Sequence, residues 1–146
     1  TGIFYWDIHY KAVKLEVTGL DKADNIIIRY SIQSSKRPYA IQVVDKNIGF
    51  DKAIGIAQVV LHIFDEDGAP VILADNEITC HIAGKARLLG LEAGNNEDMG
   101  NYNDNRQRVY HGKLLAYIQV REANSTVKIK FSSPLLQPDE ITIDAK

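Results

Sequence analysis

The stretch Ala57-Gln58-Val59-Val60-Leu61-His62-Ile63-Phe64, followed at once by Asp65-Glu66-Asp67-Gly68, decides how the rest of the chain is read. Ala57, Val59, Leu61 and Ile63 alternate with Gln58, Val60 and His62, so one side of an extended segment is wholly apolar. Successive side chains of a strand point to opposite faces, and this period of two predicts a strand lying on a core. The acidic tetrapeptide ending in glycine predicts a turn. The same rhythm recurs in Ile78, Cys80 and Ile82, in Leu114, Ala116, Ile118 and Val120, and in Val127, Ile129 and Phe131. Ile141 and Ile143 form a short last strand after Pro134 and Pro138.

No segment carries a sustained helical period. The best candidate, Ile72–Glu77, is too short to stand alone and follows Pro70 closely. The expected fold is therefore all-β. Six or seven short strands within about 100 residues predict an immunoglobulin-like antiparallel β-sandwich, with an eight-stranded jelly roll as the competing arrangement. The Cys…Trp…Cys spacing of antibody domains is missing, since the single tryptophan is Trp6 and the single cysteine is Cys80.

A length of 146 residues is enough for one domain with a real core and far short of the roughly 250 that a TIM barrel needs. With 17 basic against 19 acidic residues, the net charge of −2 supplies no polybasic footprint, and no nucleic-acid partner is expected. No apolar run is long enough for a membrane-spanning helix, so no membrane insertion is expected. One cysteine forms no internal disulfide and leaves the redox compartment unread. A chain that starts at Thr1 and holds its one methionine at position 99 reads as a piece of something longer.

Residues 1–37 differ from the rest. Tyr10–Val17 and Ile26–Ile32 read as strands joined by a loop from Gly19 to Asn25, with Val13, Leu15 and Val17 on one face with Ile26, Ile28, Tyr30 and Ile32. Ser34-Ser35-Lys36-Arg37-Pro38 reads as a linker, because proline pushes the residue before it into extended geometry. A lone hairpin is marginal in water. This one, preceded by Phe4, Tyr5 and Trp6 and followed in the aromatic group by Tyr10, needs a surface to cover it and is a candidate route to a dimer. The division is thus a hairpin with linker at 1–37 and a sandwich at 38–146.

The segment from Pro38 to Ala123 resembles the C-terminal immunoglobulin-like domain of glycoside hydrolase family 2 enzymes, the β-galactosidase and β-glucuronidase group. Asp65-Glu66-Asp67-Gly68-Ala69-Pro70-Val71 is similar to that family's V-D-x-D-G-x-x-V turn. The run from Gly84 to Asn95 is similar to its G-x-x-x-L-x-G-x-x-x-G-N, and the run from Asn105 to Ala116 to its R-x-A-F-x-G-x-x-x-A. The hairpin is similar to the last two strands of the preceding immunoglobulin-like domain. The resemblance implies a non-catalytic accessory module, positioned by packing on other domains of a parent β-galactosidase-like glycosidase. It also implies a bacterial enzyme that is periplasmic, secreted or held at the cell surface. The acid and nucleophile of such enzymes lie on a barrel outside this chain, so no catalytic residue is assigned.

The richest polar stretch runs from Asn95 to Asn105. Oxygen donors spaced around Gly100 suit calcium, although the bidentate glutamate that closes an EF-hand loop is missing. The favoured reading is a long loop using Asn and Asp for turns, with no cofactor expected and calcium at residues 95–105 the lesser alternative. Amides and carboxylates also bond sugar hydroxyls, and a tyrosine ring stacks on a pyranose face. Asn95, Asn96, Asp98, Tyr102, Asp104, Arg106 and Tyr110 are therefore the candidate contacts to a carbohydrate or a neighbouring domain. The alternatives to the accessory role are a carbohydrate-binding module using residues 95–110 and a structural repeat of a cell-surface protein.

The remaining reactive side chains point to less. His62 and His81 fall on polar strand faces and come close only if their strands pair, and two histidines make a poor zinc site. Cys80 sits on an apolar face as a small hydrophobe. No G-x-S-x-G elbow occurs. The triplet Asn124-Ser125-Thr126 reads as a turn.

Overall fold

The structure, a computed structural model, describes residues 3, 5–9, 11, 14–51 and 54–145. The chain divides into two compact units, 1–34 and 35–146.

In the first unit β1 (Lys14–Leu20) pairs antiparallel with β2 (Ile26–Gln33). The register sets Leu15 opposite Ile32, Val17 opposite Tyr30 and Gly19 opposite Ile28. Between these pairs lie Lys14 with Gln33, Glu16 with Ser31 and Thr18 with Arg29. One face is consequently apolar, and Ile28, Tyr30 and Ile32 on it are all more than half exposed. The other face is polar, with Glu16 between Lys14 and Arg29 at 3.5 and 3.3 Å. The first strand ends later than the sequence suggests. Strand pairing continues to Leu20, and the turn is tightened onto Asp21, whose carboxylate accepts from the N–H groups of Ala23 and Asn25 and from the Asn25 amide. Those bonds, the Asn25 amide first, hold the Asp21 carboxyl below its ordinary pKa. Phe4, Tyr10 and Val13 lie outside the described residues.

The second unit contains β3 (Ala40–Asp51), β4 (Ile54–Phe64), β5 (Glu77–Ala83), β6 (Ala86–Glu92), β7 (Arg106–Arg108), β8 (Lys113–Val120), β9 (Ser125–Ser132) and β10 (Asp139–Ala145). One sheet runs β3-β4-β8-β6 and the other β10-β9-β5-β7, every neighbouring pair antiparallel. In chain order this is the immunoglobulin constant-type pattern, A-B-E-D facing G-F-C, with the short β7 added beside the C strand. The jelly-roll alternative is set aside by that strand order. No helix occurs among the described residues. Ile72 and Leu73 sit in a turn, and Glu77 already begins β5.

The alternating residues meet where the period of two requires. Ala57, Val59 and Leu61 face Ile118, Ala116 and Leu114 across the β4–β8 ladder. Cys80 faces Phe131, and Ile129 and Val127 face Ile141 and Ile143. Leu61, Leu114, Ile78 and Phe131 are all fully buried. Burying a side chain of this size contributes about 1.5–3 kcal/mol each, so the sandwich is held by its interior. His62 and His81 lie in opposite sheets, so the condition for their coming close is not met: β4 pairs with β3 and β8 while β5 pairs with β7 and β9. Partial burial, and then Lys113 opposite it, lowers the pKa of His62.

Two polar devices fix the end at which the chain enters. Asp65 is the one buried charged residue among those described, at 3% exposure. Its carboxylate accepts from the backbone N–H of Lys36 at 2.8 Å, of Ala69 at 2.8 Å and of Asp67 at 3.0 Å. The Lys36 bond foremost keeps the Asp65 carboxyl ionised to lower pH than usual. The Lys36 ammonium in turn reaches Glu66 at 2.8 Å and Asp67 at 3.0 Å, which raises its own pKa. Lys36 therefore belongs to the sandwich, and the division between the units falls at Ser34/Ser35. Gly112 makes the second device. It holds φ +68°, and a Cβ there would collide with the Val71 carbonyl oxygen, so the 109–112 turn packs on the 70–74 turn only with glycine.

Candidate functional site

The long segment between β6 and β7 leaves the edge of the first sheet at a bulge, where the β6–β8 register shifts between Leu88 and Gly90. A glycine inside a strand pattern often marks a bulge or a close backbone approach, and Gly90 does both. A Cβ on Gly90 would stand 3.0 Å from the Tyr102 carbonyl oxygen, the same oxygen that accepts from the Leu91 N–H at 3.1 Å. The loop is thereby tied back onto the strand it has just left.

Most polar groups of this loop hold the loop itself. Asn95 Oδ1 accepts from the Glu97 N–H at 3.0 Å, Asn101 Oδ1 from Asn103 at 3.1 Å and Asp104 Oδ1 from Asn105 at 2.6 Å. Asp98 Oδ1 accepts from the Gly100 N–H at 2.8 Å, and its Oδ2 from Gln107 Nε2 at 2.6 Å. The Tyr102 hydroxyl donates to the Asp98 carbonyl at 3.0 Å. These are side chains serving as turn caps.

Calcium, the lesser alternative for residues 95–105, would have to compete with these bonds for the loop's oxygens. Asn95, Asp98, Asn101 and Asp104 each turn one oxygen to a separate backbone N–H along the loop, and the second Asp98 oxygen accepts from the Gln107 amide. Among the described residues no three His, Cys, Asp or Glu side chains come together in a way that holds a metal ion. Calcium wants six to eight converging oxygens.

Two cavities flank the loop. The first, about 300 Å³, is lined by Gly90, Glu92, Asn95, Asn96, Tyr102 and Tyr117, with Leu91 and Gly94. The second, about 310 Å³, is lined by Glu77, Asn95, Asp98, Arg106, Arg108 and Tyr110, with Gln107 and Val109. The fold thus divides the candidate residues. Asn96 and Tyr102 belong to the first, Asp98, Arg106 and Tyr110 to the second, and Asn95 to both. Asp104 lines neither and serves its turn.

In the second cavity the Arg108 guanidinium donates to the Asp75 carbonyl at 3.0 Å, and the Tyr110 ring meets His111 edge-on at 4.1 Å. Its two carboxylates are unequal. Both oxygens of Asp98 accept hydrogen bonds, which leaves Glu77 as the carboxylate without a partner among the described residues. Glycoside hydrolysis asks for two carboxyl groups free to act across a sugar. Elsewhere, Cys80 is buried and its thiol is pushed up to about 12 by desolvation, so it supplies no thiolate nucleophile near neutral pH.

Sequence reasoning missed Gly90, Glu92 and Tyr117. Tyr117 alternates with the buried Ala116 and Ile118, so its ring lies on the outer face of β8, in register with Gly90 on β6. The glycine in a strand pattern was the available signal.

The glycoside hydrolase family 2 C-terminal domain 5 model matches residues 41–142. A β-glycosidase from Bacteroides vulgatus superposes with a TM-score of 0.83 at 26% identity, over 96% of this chain and 18% of its own. A glycosyl hydrolase family 2 member from Bacteroides cellulosilyticus gives 0.84 at 18% identity, over 97% and 18%. A family 2 β-glucuronidase gives 0.76 at 18% identity, over 97% and 15%. The chain spans less than a fifth of the length of these proteins. No curated protein matches the sequence.

Proposed function

Because the chain belongs to the glycoside hydrolase family 2 C-terminal domain 5 family, we propose that it acts as a non-catalytic accessory domain of a larger β-glycosidase. The observation that carries this reading is the family match over residues 41–142 on a chain spanning less than a fifth of the glycosidases it superposes on. The site geometry agrees with it: neither loop cavity presents two uncommitted carboxylates.

In this reading residues 1–34 are the closing hairpin of a preceding immunoglobulin-like domain, and residues 35–37 are the linker already held on the sandwich. The one-sided apolar face of β1 and β2 supports that assignment, since such a face is made to be covered. The Lys36–Asp65 clamp then fixes where the linker joins the sandwich. The parent is a β-galactosidase- or β-glucuronidase-like enzyme of bacterial origin, exported to the periplasm or cell surface. Its other domains are the chief partners of this one.

The test is direct. Purified chain incubated with 4-nitrophenyl β-galactoside and β-glucuronide should release no nitrophenol above buffer. Turnover that survives repurification, and is lost in Glu77→Gln, would overturn the accessory role.

A further inference from the structure

The cavity at Gly90 brings two tyrosine rings together with open polar side chains. Tyr102 is 47% exposed, and Tyr117 lies on the outer sheet face. Gly90, opposite Tyr117 in register, has no side chain to cover that ring. Two aromatic rings therefore border a space with a backbone floor. The polar rim carries groups that the loop does not use to hold itself. Asn95, Asp98, Asn101 and Asp104 are engaged with backbone N–H groups. The Glu92 carboxylate and the Asn96 amide make no hydrogen bond or ion pair among the described residues. An amide and a carboxylate left open beside tyrosine rings suit a ligand with an apolar ring face and adjacent hydroxyl groups. A volume of about 300 Å³ stands at the small end of ligand pockets, room for one sugar ring rather than a long chain.

From this geometry we infer that the cavity binds one neutral hexopyranose unit of a β-linked oligosaccharide. The ring face stacks on Tyr102 and Tyr117, and hydroxyl groups bond Glu92 and Asn96. The β linkage rests on the accessory role in a β-glycosidase proposed above; the sugar class rests on the cavity itself. Glu92 is the one charged group on the lining. It repels a uronate or sulfate, which sets the preference for a neutral ring. The neighbouring cavity is a poorer candidate, because its Arg108, Asp98 and Tyr110 already contact Asp75, Gln107 and His111.

The experiment is a titration of the ¹⁵N-labelled chain with cellobiose and β-1,4-galactobiose up to about 20 mM, with cellobiouronic acid as the acidic arm. Saturable shifts are expected at the amides of Leu91, Asn96 and Tyr102. The acid should bind at least about fivefold more weakly than the neutral sugars. Asn96→Ala and Tyr102→Ala should each weaken binding about fivefold or more. Tyr102 also ties the loop, so Asn96→Ala, which alters an exposed side chain, keeps the test independent of folding. The inference is overturned by the absence of saturable shifts, by shifts centred on Arg106 and Tyr110, or by equal affinity for the acid. None of these outcomes bears on the nitrophenyl glycoside assay, so the accessory role and the sugar site fail separately.

Discussion

Val17 in β1 and Val59 in β4 occupy equivalent settings, each in an antiparallel strand among alternating apolar residues, yet Val59 is fully buried and Val17 is 37% exposed. The contrast extends to their units. In the sandwich, each apolar face looks onto another: Leu61 and Leu114 on one sheet, Ile78 and Phe131 on the other. In the hairpin the same pattern yields Ile28, Tyr30 and Ile32 more than half exposed. Alternation specifies which face is apolar; it does not specify what lies against that face. The sandwich supplies its own second layer; in the accessory-domain proposal the hairpin's second layer is supplied by another part of the parent.

Substitutions can break this comparison. The largest effect is expected from Phe131→Ala, which empties a fully buried ring site and should cost the sandwich about 3–5 kcal/mol in urea unfolding. Tyr30→Ala, at an aromatic of similar size in the hairpin, should leave sandwich unfolding within about 0.5 kcal/mol. Equal losses would mean that the two regions form one cooperative unit. Next comes Gly112→Ala, expected to cost about 1–3 kcal/mol, because φ +68° disfavours a side chain and the Val71 carbonyl blocks its Cβ.

An intermediate effect concerns acid. The folded-state pKa of Asp65 is depressed, so its contribution is fully present above the ordinary carboxylate value of 3.8 and is lost as pH falls through the lower folded value. The urea midpoint should therefore fall below about pH 4, and Asp65→Asn should flatten that acid limb while lowering stability at neutral pH. An unchanged acid limb in the variant would remove Asp65 from the account. The smallest effect is a weak association of the isolated chain through the hairpin's apolar face. Sedimentation should show concentration-dependent dimers that Ile28→Lys abolishes, and a dimer that survives Ile28→Lys would place the contact elsewhere.

Much of the sandwich was legible because its central strands bury one face only. Ala57–Ile63, Leu114–Val120 and Val127–Phe131 alternate in sequence as they do in burial. β3, β6 and β7 lack that signal, β6 because its register shifts between Leu88 and Gly90. β3 takes an extra residue between Val43 and Asp45, and its freed Val43 N–H donates to Asp139 instead, so no simple alternation marks it. β7 is three residues, Arg106-Gln107-Arg108, too short for any period. The candidate site was half legible. The Asn- and Asp-rich loop announced itself by composition, but most of those side chains cap turns. The cavity depends on Tyr117 meeting Gly90, a pairing created by the β6 bulge and invisible in local spacing.

The claim that the hairpin face is covered in the parent enzyme can be tested with a single added thiol. Cys80 is buried and its thiol is pushed up to about 12, so it stays silent toward maleimide at neutral pH. In Tyr30→Cys the new thiol should label rapidly in the dilute isolated chain. In the full-length glycosidase it should label at least about tenfold more slowly, because another layer lies against that face. Equal labelling rates in the two proteins would contradict the account.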